Sequence, residues 1–293
     1  MIGIVGLGNM GRAIAERLLA EGEELVVWNR SPGKADGLAG VTEASTPADV
    51  AARADVVLSV LANDAAIEAV YYGRAGLLSA PLDGKVIVEL CTTSPENAVA
   101  LDAAVMGLGG LFLECPVGGT IGPARDGKLL GLAGGRDAAF AAARPTLEKI
   151  TRRLEHLGPA GNGAAMKLAI NLPLMAYWGA LGEALGLVLG RGVDLHQATE
   201  ILIDSSGAIG AAKGRVPPIR DMIQTGDPGG VSFALRNALK DMGLMEALAE
   251  AHGHSHGVIS AVRARGLAAA EAGFGDLDAS MMAAYEHRFL ASD

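Results

Sequence analysis

The first strand-like run, Ile2 to Val5, runs straight into Gly6-Leu7-Gly8-Asn9-Met10-Gly11, and from Met10 to Glu21 the residues take helical spacing. Three glycines in the order GxGxxG between a strand and a helix leave the backbone few choices. Gly6 makes the turn, Gly8 lets the backbone come close to a diphosphate, and Gly11 lets the helix touch the strand. At the head of an alternating α/β region, this arrangement sets a dinucleotide's phosphates on the amides that open the helix.

The alternation is present. Apolar runs at 2–6, 25–29, 55–61, 85–90, 111–115, 128–134 and 152–157 read as strands. Segments with helical spacing lie between most of them, at 10–21, 63–72, 95–108 and 137–150. Strands apolar on both faces and separated by helices predict a mainly parallel, doubly wound sheet of Rossmann type. After Gly163 the strand signals stop, and helices are expected at 164–191 and 195–205, up to 222, and at 233–252, 258–272 and 278–290. The breaker cluster Leu157-Gly158-Pro159-Ala160-Gly161-Asn162-Gly163 marks the boundary. The fold class is therefore α/β: a dinucleotide-binding domain over 1–162, followed by an all-α domain for substrate binding and dimerisation over 163–293. A chain of 293 residues is long enough for two such domains.

Half the residues are hydrophobic and 19% are charged, which excludes general disorder. Lys and Arg number 24 against 33 Asp and Glu, a balance of −9 that argues against a nucleic-acid partner. Cys91 and Cys115 sit in apolar stretches without a CxxC pattern, so they read as reduced packing residues of a cytoplasmic protein. No signal peptide is expected. Leu168 to Gly190 is apolar enough to test as a membrane span, but Pro173 interrupts it and Glu183 would be costly in a bilayer, so a helix buried between protein layers is expected. His252, His254 and His256 alternate like a metal clip but lie between two helices, and no metal site is expected.

Three further places carry chemistry. The second strand ends in Asn29-Arg30-Ser31, about 20 residues past the glycines, where NAD-binding folds usually place an acid. Asn29 can bond a ribose, and Arg30 with Ser31 suits a 2′-phosphate, so NADP is favoured and NAD remains possible. Lys167 and Asn171 lie four apart on one helix face in an otherwise apolar segment, where a partly desolvated ammonium can serve as a general acid. Gly118 and Gly119, beside Thr120 and just after a strand, expose amides able to hold an oxyanion.

In the order GLGNMG, Cys91-Thr92-Thr93-Ser94-Pro95, CPVGGTIGPARDG, Gly163-Ala164-Ala165-Met166-Lys167 with Asn171, and Phe233 with Lys240-Asp241, the chain resembles the β-hydroxyacid dehydrogenase family over nearly its whole length. That group contains 3-hydroxyisobutyrate dehydrogenase, tartronate semialdehyde reductase and glyoxylate/succinic semialdehyde reductase. The resemblance implies an NADP-dependent reductase of a small aldehyde acid, or a hydroxyacid dehydrogenase in reverse. It makes Lys167 the catalytic lysine and Asn171 a substrate ligand, with Gly118, Gly119 and Thr120 cradling the acid group. Thr92 would touch the nicotinamide ribose, Lys240 would close near the cofactor, and Leu61, Ala62 and Asn63 at the end of the third strand join the cofactor residues. Gly118 stands where the family usually has Ser, leaving the hydroxyl contact to Thr120. The alternatives are an imine reductase, disfavoured by the presence of Lys167, and a sulfolactaldehyde reductase-like enzyme, disfavoured by Gly119. A homodimer or homotetramer is expected, with the long apolar helix packing against a partner subunit.

Overall fold

A computed structural model describes residues 1–285 and 287. The chain divides into two compact units, Met1–Lys167 and Leu168–Asp293.

The first unit is one twisted sheet with helices on both faces. Its elements run β1 (Ile2–Val5), α1 (Asn9–Ala20), β2 (Leu25–Trp28), β3 (Val41–Glu43), α2 (Pro47–Arg53), β4 (Val56–Ser59), α3 (Asp64–Tyr72), β5 (Val86–Glu89), α4 (Pro95–Met106) and β6 (Leu111–Glu114). They continue with β7 (Val117–Gly118), α5 (Ile121–Arg125), β8 (Leu129–Gly135), α6 (Asp137–Leu147) and β9 (Thr151–His156). The strand order is β3-β2-β1-β4-β5-β6-β8-β7, with β9 on β8. All pairs from β3 to β6 are parallel, β8 runs antiparallel to β6 and β7, and β9 is parallel to β8. Alternate strand residues feed two cores: Ile4, Val27, Leu58 and Val88 on one face, Val5, Val26, Val57 and Ile87 on the other. Both faces are covered, which is why the strands read as continuous apolar runs.

All seven strands expected from the sequence form. β3 and α2 were not expected, because three residues and seven are too few to show a period. Their punctuation was nevertheless present: Thr46 caps α2 by accepting the Asp49 N–H at 3.1 Å, and Pro47 opens it. The glycine-rich stretch after β6, in which no element was expected, holds β7 and α5.

The second unit is helical. The long helix α7 (Asn162–Leu189) starts in the first unit and continues through Pro173, and α8 (Leu195–Asp204), α9 (Ala212–Thr225), α10 (Leu235–Ala251) and α11 (Gly257–Ala269) follow. Trp178 and Leu185 of α7 pack in one core with Val216, Ile219, Leu239, Met242 and Met282. Two expectations need correction. The segment 278–290 is not one α-helix: Ala279–Ala283 is a 3₁₀ turn, and 286 and 288–290 lie outside the described residues. The buried Asp278 sets this turn by accepting the Ser280 N–H and Oγ–H, together with the Ser232 and Phe233 amides and Arg215. The long apolar helix is also not buried all round, since only 33% of its most apolar window is covered.

Candidate active site

The glycine loop joins β1 to α1. Gly6 has φ +99°, and a Cβ there would lie 2.2 Å from the Val60 carbonyl oxygen. At Gly11 a Cβ would stand 1.9 Å from the Gly6 carbonyl oxygen, so helix and turn meet in direct backbone contact. Gly8 differs, because its backbone is extended and nothing lies within 4 Å of where a Cβ would project. No side chain caps α1, so its first amides take no side-chain partner at the cap. An anionic group fits such a helix start.

Asn29 at the end of β2 is tied to this loop. Its Oδ1 accepts the Leu7 N–H at 2.8 Å, and its Nδ2 donates to the Ser31 carbonyl at 2.9 Å. Arg30 and Ser31 are exposed on the rim of a depression of about 260 Å³ that Leu7, Asn29, Lys34 and Glu43 also line. Lys34 escaped the sequence reading, although a lysine four residues after Arg30 in a Ser-Pro-Gly turn was the available signal. Arg12 holds its loop by donating to the carbonyls of Lys34 and Asp36, both at 3.0 Å. A separate depression of about 360 Å³ between α6 and β9, walled by Arg144, Arg152 and Arg153, contains none of the motif residues.

Leu61, Ala62 and Asn63 follow β4, and Asn63 caps α3 by accepting the Ala66 N–H at 2.9 Å. Thr92 follows β5 and is half-buried. Its neighbour Thr93 donates to Asp64 at 3.0 Å and accepts from Asn97 at 2.7 Å, which ties the loop after β4 to the one after β5. These groups stand at the carboxyl ends of parallel strands, where open α/β sheets bind ligands.

β6 leads into the second glycine segment. Gly118 pairs with Leu130 of β8, and Gly119 has φ +131° with a would-be Cβ 2.8 Å from the Leu129 side chain. Thr120 precedes α5 without capping it through its side chain. The last residue of β6, Glu114, is 1% exposed and accepts three backbone N–H groups at the start of α7, from Gly161 (2.6 Å), Gly163 (2.9 Å) and Ala164 (3.3 Å). Burial pushes its carboxyl up to about 7 against the opposing pull of those amides. Lys167 is half-buried one turn further along α7, and Asn171 follows one turn later.

In the second unit Asn171 is 8% exposed, and its Nδ2 donates to Asp241 Oδ2 at 3.2 Å. Lys240 reaches the other oxygen of Asp241, also at 3.2 Å. Asp241, 2% exposed, therefore fixes the Asn171 amide and the Lys240 ammonium together. Sequence reasoning gave Asp241 no role, and likewise passed over Glu114, whose only signal was an acid closing an apolar strand. In the histidine loop, His256 contacts Ser260 and Glu250, and among the described residues no cluster of three or more metal-binding side chains exists.

A doubly wound sheet with a glycine loop after its first strand, and a lysine and asparagine one turn apart on the long helix that leads from it into a helical unit, define a class of two-unit dinucleotide-dependent oxidoreductases. Residues 1–158 match the family model for the NAD-binding domain of 6-phosphogluconate dehydrogenase, and residues 161–285 match that for the NAD-binding region of NADP-dependent 3-hydroxyisobutyrate dehydrogenase. The chain is 32% identical over 281 residues to glyoxylate/succinic semialdehyde reductase 1 of Arabidopsis thaliana, covering 95% of this chain and 96% of that one. It is 34% identical over 256 residues to 3-hydroxyisobutyrate dehydrogenase of Pseudomonas aeruginosa, covering 85% of each. A solved structure of Psf3 in complex with NADP+ and 2-OPP superposes with a TM-score of 0.84 at 27% identity, over 96% of this chain and 98% of that one. The chain belongs to the β-hydroxyacid dehydrogenase family and is an NAD(P)-dependent oxidoreductase. The imine reductase and sulfolactaldehyde reductase alternatives are less supported than this assignment.

Proposed function

We propose that this enzyme reduces a small aldehyde acid to the hydroxy acid with NADPH, and runs as a hydroxyacid dehydrogenase in reverse. The observation that carries the reading is the pair Lys167 and Asn171 on α7, with Asn171 held by the buried Asp241. When bound, the reduced nicotinamide supplies the hydride. As negative charge grows on the carbonyl oxygen, the Lys167 ammonium stabilises it and gives up a proton, and in the reverse direction the amine takes the proton from the hydroxyl. Asn171 orients the substrate. The amides of Gly118 and Gly119 and the Thr120 hydroxyl hold the acid group.

Gly6, Leu7, Gly8, Asn9, Met10 and Gly11 would carry the diphosphate, and the open space at Gly8 is the support for that. Asn29, Arg30 and Ser31, with Lys34 beside them, favour NADPH over NADH. Leu61, Ala62, Asn63, Thr92 and Lys240 keep the cofactor roles the resemblance gives them.

A second copy of this chain is the proposed partner of α7. Its exposed face carries Met166, Ala169, Pro173, Ala180, Glu183 and Leu187, a seam of small and apolar residues at spacings of three, four and seven that is broken by the one charge of Glu183. A membrane would have to take the ion pair of Glu183 with Arg265 (2.9 Å) and, near the other end of the same helix, Lys167, which favours protein as the covering surface. The buried thiols Cys91 and Cys115 support a cytoplasmic, reducing location, and the acidic balance speaks against a nucleic-acid partner.

The test is NADPH oxidation with glyoxylate, succinic semialdehyde, tartronate semialdehyde, methylmalonate semialdehyde and sulfolactaldehyde. Succinic semialdehyde should exceed butyraldehyde in kcat/KM by about 10² or more, the worth of charge-assisted bonds to the acid group. Similar efficiencies for these two would show that the glycine segment is only a turn.

A further inference from the structure

The first turn of α7 is held from outside the helix. Its first four amides are all accounted for: Asn162 donates to the Pro159 carbonyl at 3.2 Å, and Gly161, Gly163 and Ala164 donate to Glu114. The Gly161 carbonyl accepts the first intrahelical bond, from Ala165 at 2.9 Å, so the capping position is a glycine without a side chain. Glu114, 47 residues earlier in the chain, supplies the oxygen that an Asp or Ser at that position would have supplied locally.

We propose that Glu114 is the positioning residue of Lys167, fixing the first turn of α7 to the strand that leads into Gly118–Thr120 so that one carboxylate sets the proton donor against the acid-binding amides. This rests on the reading of Lys167 as the general acid.

A cap from within the same segment would order the helix only with respect to itself. A cap from β6 orders it with respect to the sheet. Four residues beyond Glu114 the chain reaches Gly118, and three residues beyond Ala164 it reaches Lys167, so both functional groups are short, stiff distances from the same carboxylate. The backbone is cleared for this arrangement on two sides. A Cβ at Gly134 of β8 would stand 2.2 Å from Glu114 Oε1, and one at Gly163 would stand 2.3 Å from the Leu132 carbonyl oxygen. Oε1 takes the two shorter bonds and Oε2 only the Ala164 amide.

Burial pushes the carboxyl up to about 7 against the pull of the three amides. A protonated carboxyl still presents an acceptor oxygen, so the two Oε1 bonds that tie β6 to α7 do not require the charge.

The experiment compares the parent enzyme with Glu114→Gln and Lys167→Ala. Gln keeps an oxygen for the Gly161 and Gly163 amides but turns an N–H donor toward the Ala164 amide. Expected for Glu114→Gln are unchanged NADPH affinity, unchanged KM for the aldehyde acid, and kcat lower by about tenfold to a hundredfold. Lys167→Ala should lose roughly 10²- to 10⁴-fold in kcat with NADPH binding kept. Parent kcat and KM in Glu114→Gln, with Lys167→Ala inactive, would overturn the positioning role alone. An active Lys167→Ala would remove the general acid and the proposal with it. If Glu114→Gln does not fold, the parent decides by amide exchange: an opening that frees these amides also returns the carboxyl to water, so protection of residues 163–167, corrected for intrinsic rates, must rise from about pH 8.5 to about pH 6, and a constant protection overturns the proposal.

Discussion

Gly8 and Gly11 are three residues apart in one loop, yet a methyl group at each has opposite consequences. At Gly11 it meets the Gly6 carbonyl at 1.9 Å, so Gly11→Ala must displace the helix from the turn, at a cost of about 1–3 kcal/mol in stability. At Gly8 the extended backbone suits any residue and the space beyond is open, so Gly8→Ala should melt like the parent protein while binding NADPH at least about tenfold more weakly. Thermal melts with and without NADPH read both effects, and equal losses of stability in the two variants would show that Gly8 is also a packing glycine. Arg30 and Lys34 form a second residue-scale case. NADPH should bind more tightly than NADH, Arg30→Ala should remove most of the preference, and the double variant with Lys34→Ala the remainder, each charge-assisted contact being worth about 1.5–3 kcal/mol. Equal affinities of the parent protein for the two cofactors would refute it. These glycines and Arg30 were legible in the sequence because each solves a local problem next to the strand that poses it. Glu114 and Asp241 were not, because what makes each one matter is a partner 47 or 70 residues away.

At the scale of elements, legibility followed length. Seven strands and the long helices announce themselves by period, whereas β3 and α2 are too short to do so, and the period does not show the 3₁₀ turn at Ala279–Ala283 because Asp278's partners Arg215, Ser232 and Phe233 lie 63, 46 and 45 residues away. The start of α7 was located at its breaker cluster, but what holds it in place was not. That anchor has a measurable linkage. The folded chain binds the Glu114 proton more tightly than the unfolded chain, whose carboxyl titrates near 4.5, so its favourable contribution is whole below that value and is lost as pH rises through about 7. The loss amounts to roughly 3 kcal/mol. Glu114→Gln, which carries no charge to bury, should therefore gain stability relative to the parent protein between about pH 5 and pH 8, as read from urea unfolding at each pH. A constant difference would mean that water reaches the carboxylate.

At the scale of the whole molecule, the unanswered surface is the outer face of α7. The helix spans about 42 Å at 1.5 Å per residue, and its other face is committed to the core through Met175, Trp178, Leu181 and Leu185. Leu187 is 77% exposed, and Ile201 and Val258 on neighbouring helices are 60% and 65% exposed. Ala169, Pro173 and Ala180 keep the seam narrow, which allows another helix to approach closely. A two-fold axis would bring the same seam from a second copy against it, so each residue is used twice and one substitution is felt twice. Leu187→Glu places a charge where apolar area is to be buried, and each lost leucine is worth about 1.5–3 kcal/mol, so dissociation should become roughly 10²-fold easier or more across the symmetric pair. Leu108→Glu, at a position 41% exposed beyond the end of α4 in the first unit, is the matched control. Size-exclusion chromatography with light scattering at micromolar concentration should show an assembled parent, an assembled Leu108→Glu, and a shift toward the monomer for Leu187→Glu. A monomeric parent, or a Leu187→Glu variant as assembled as the parent, would mean that this face of α7 is not where the copies meet.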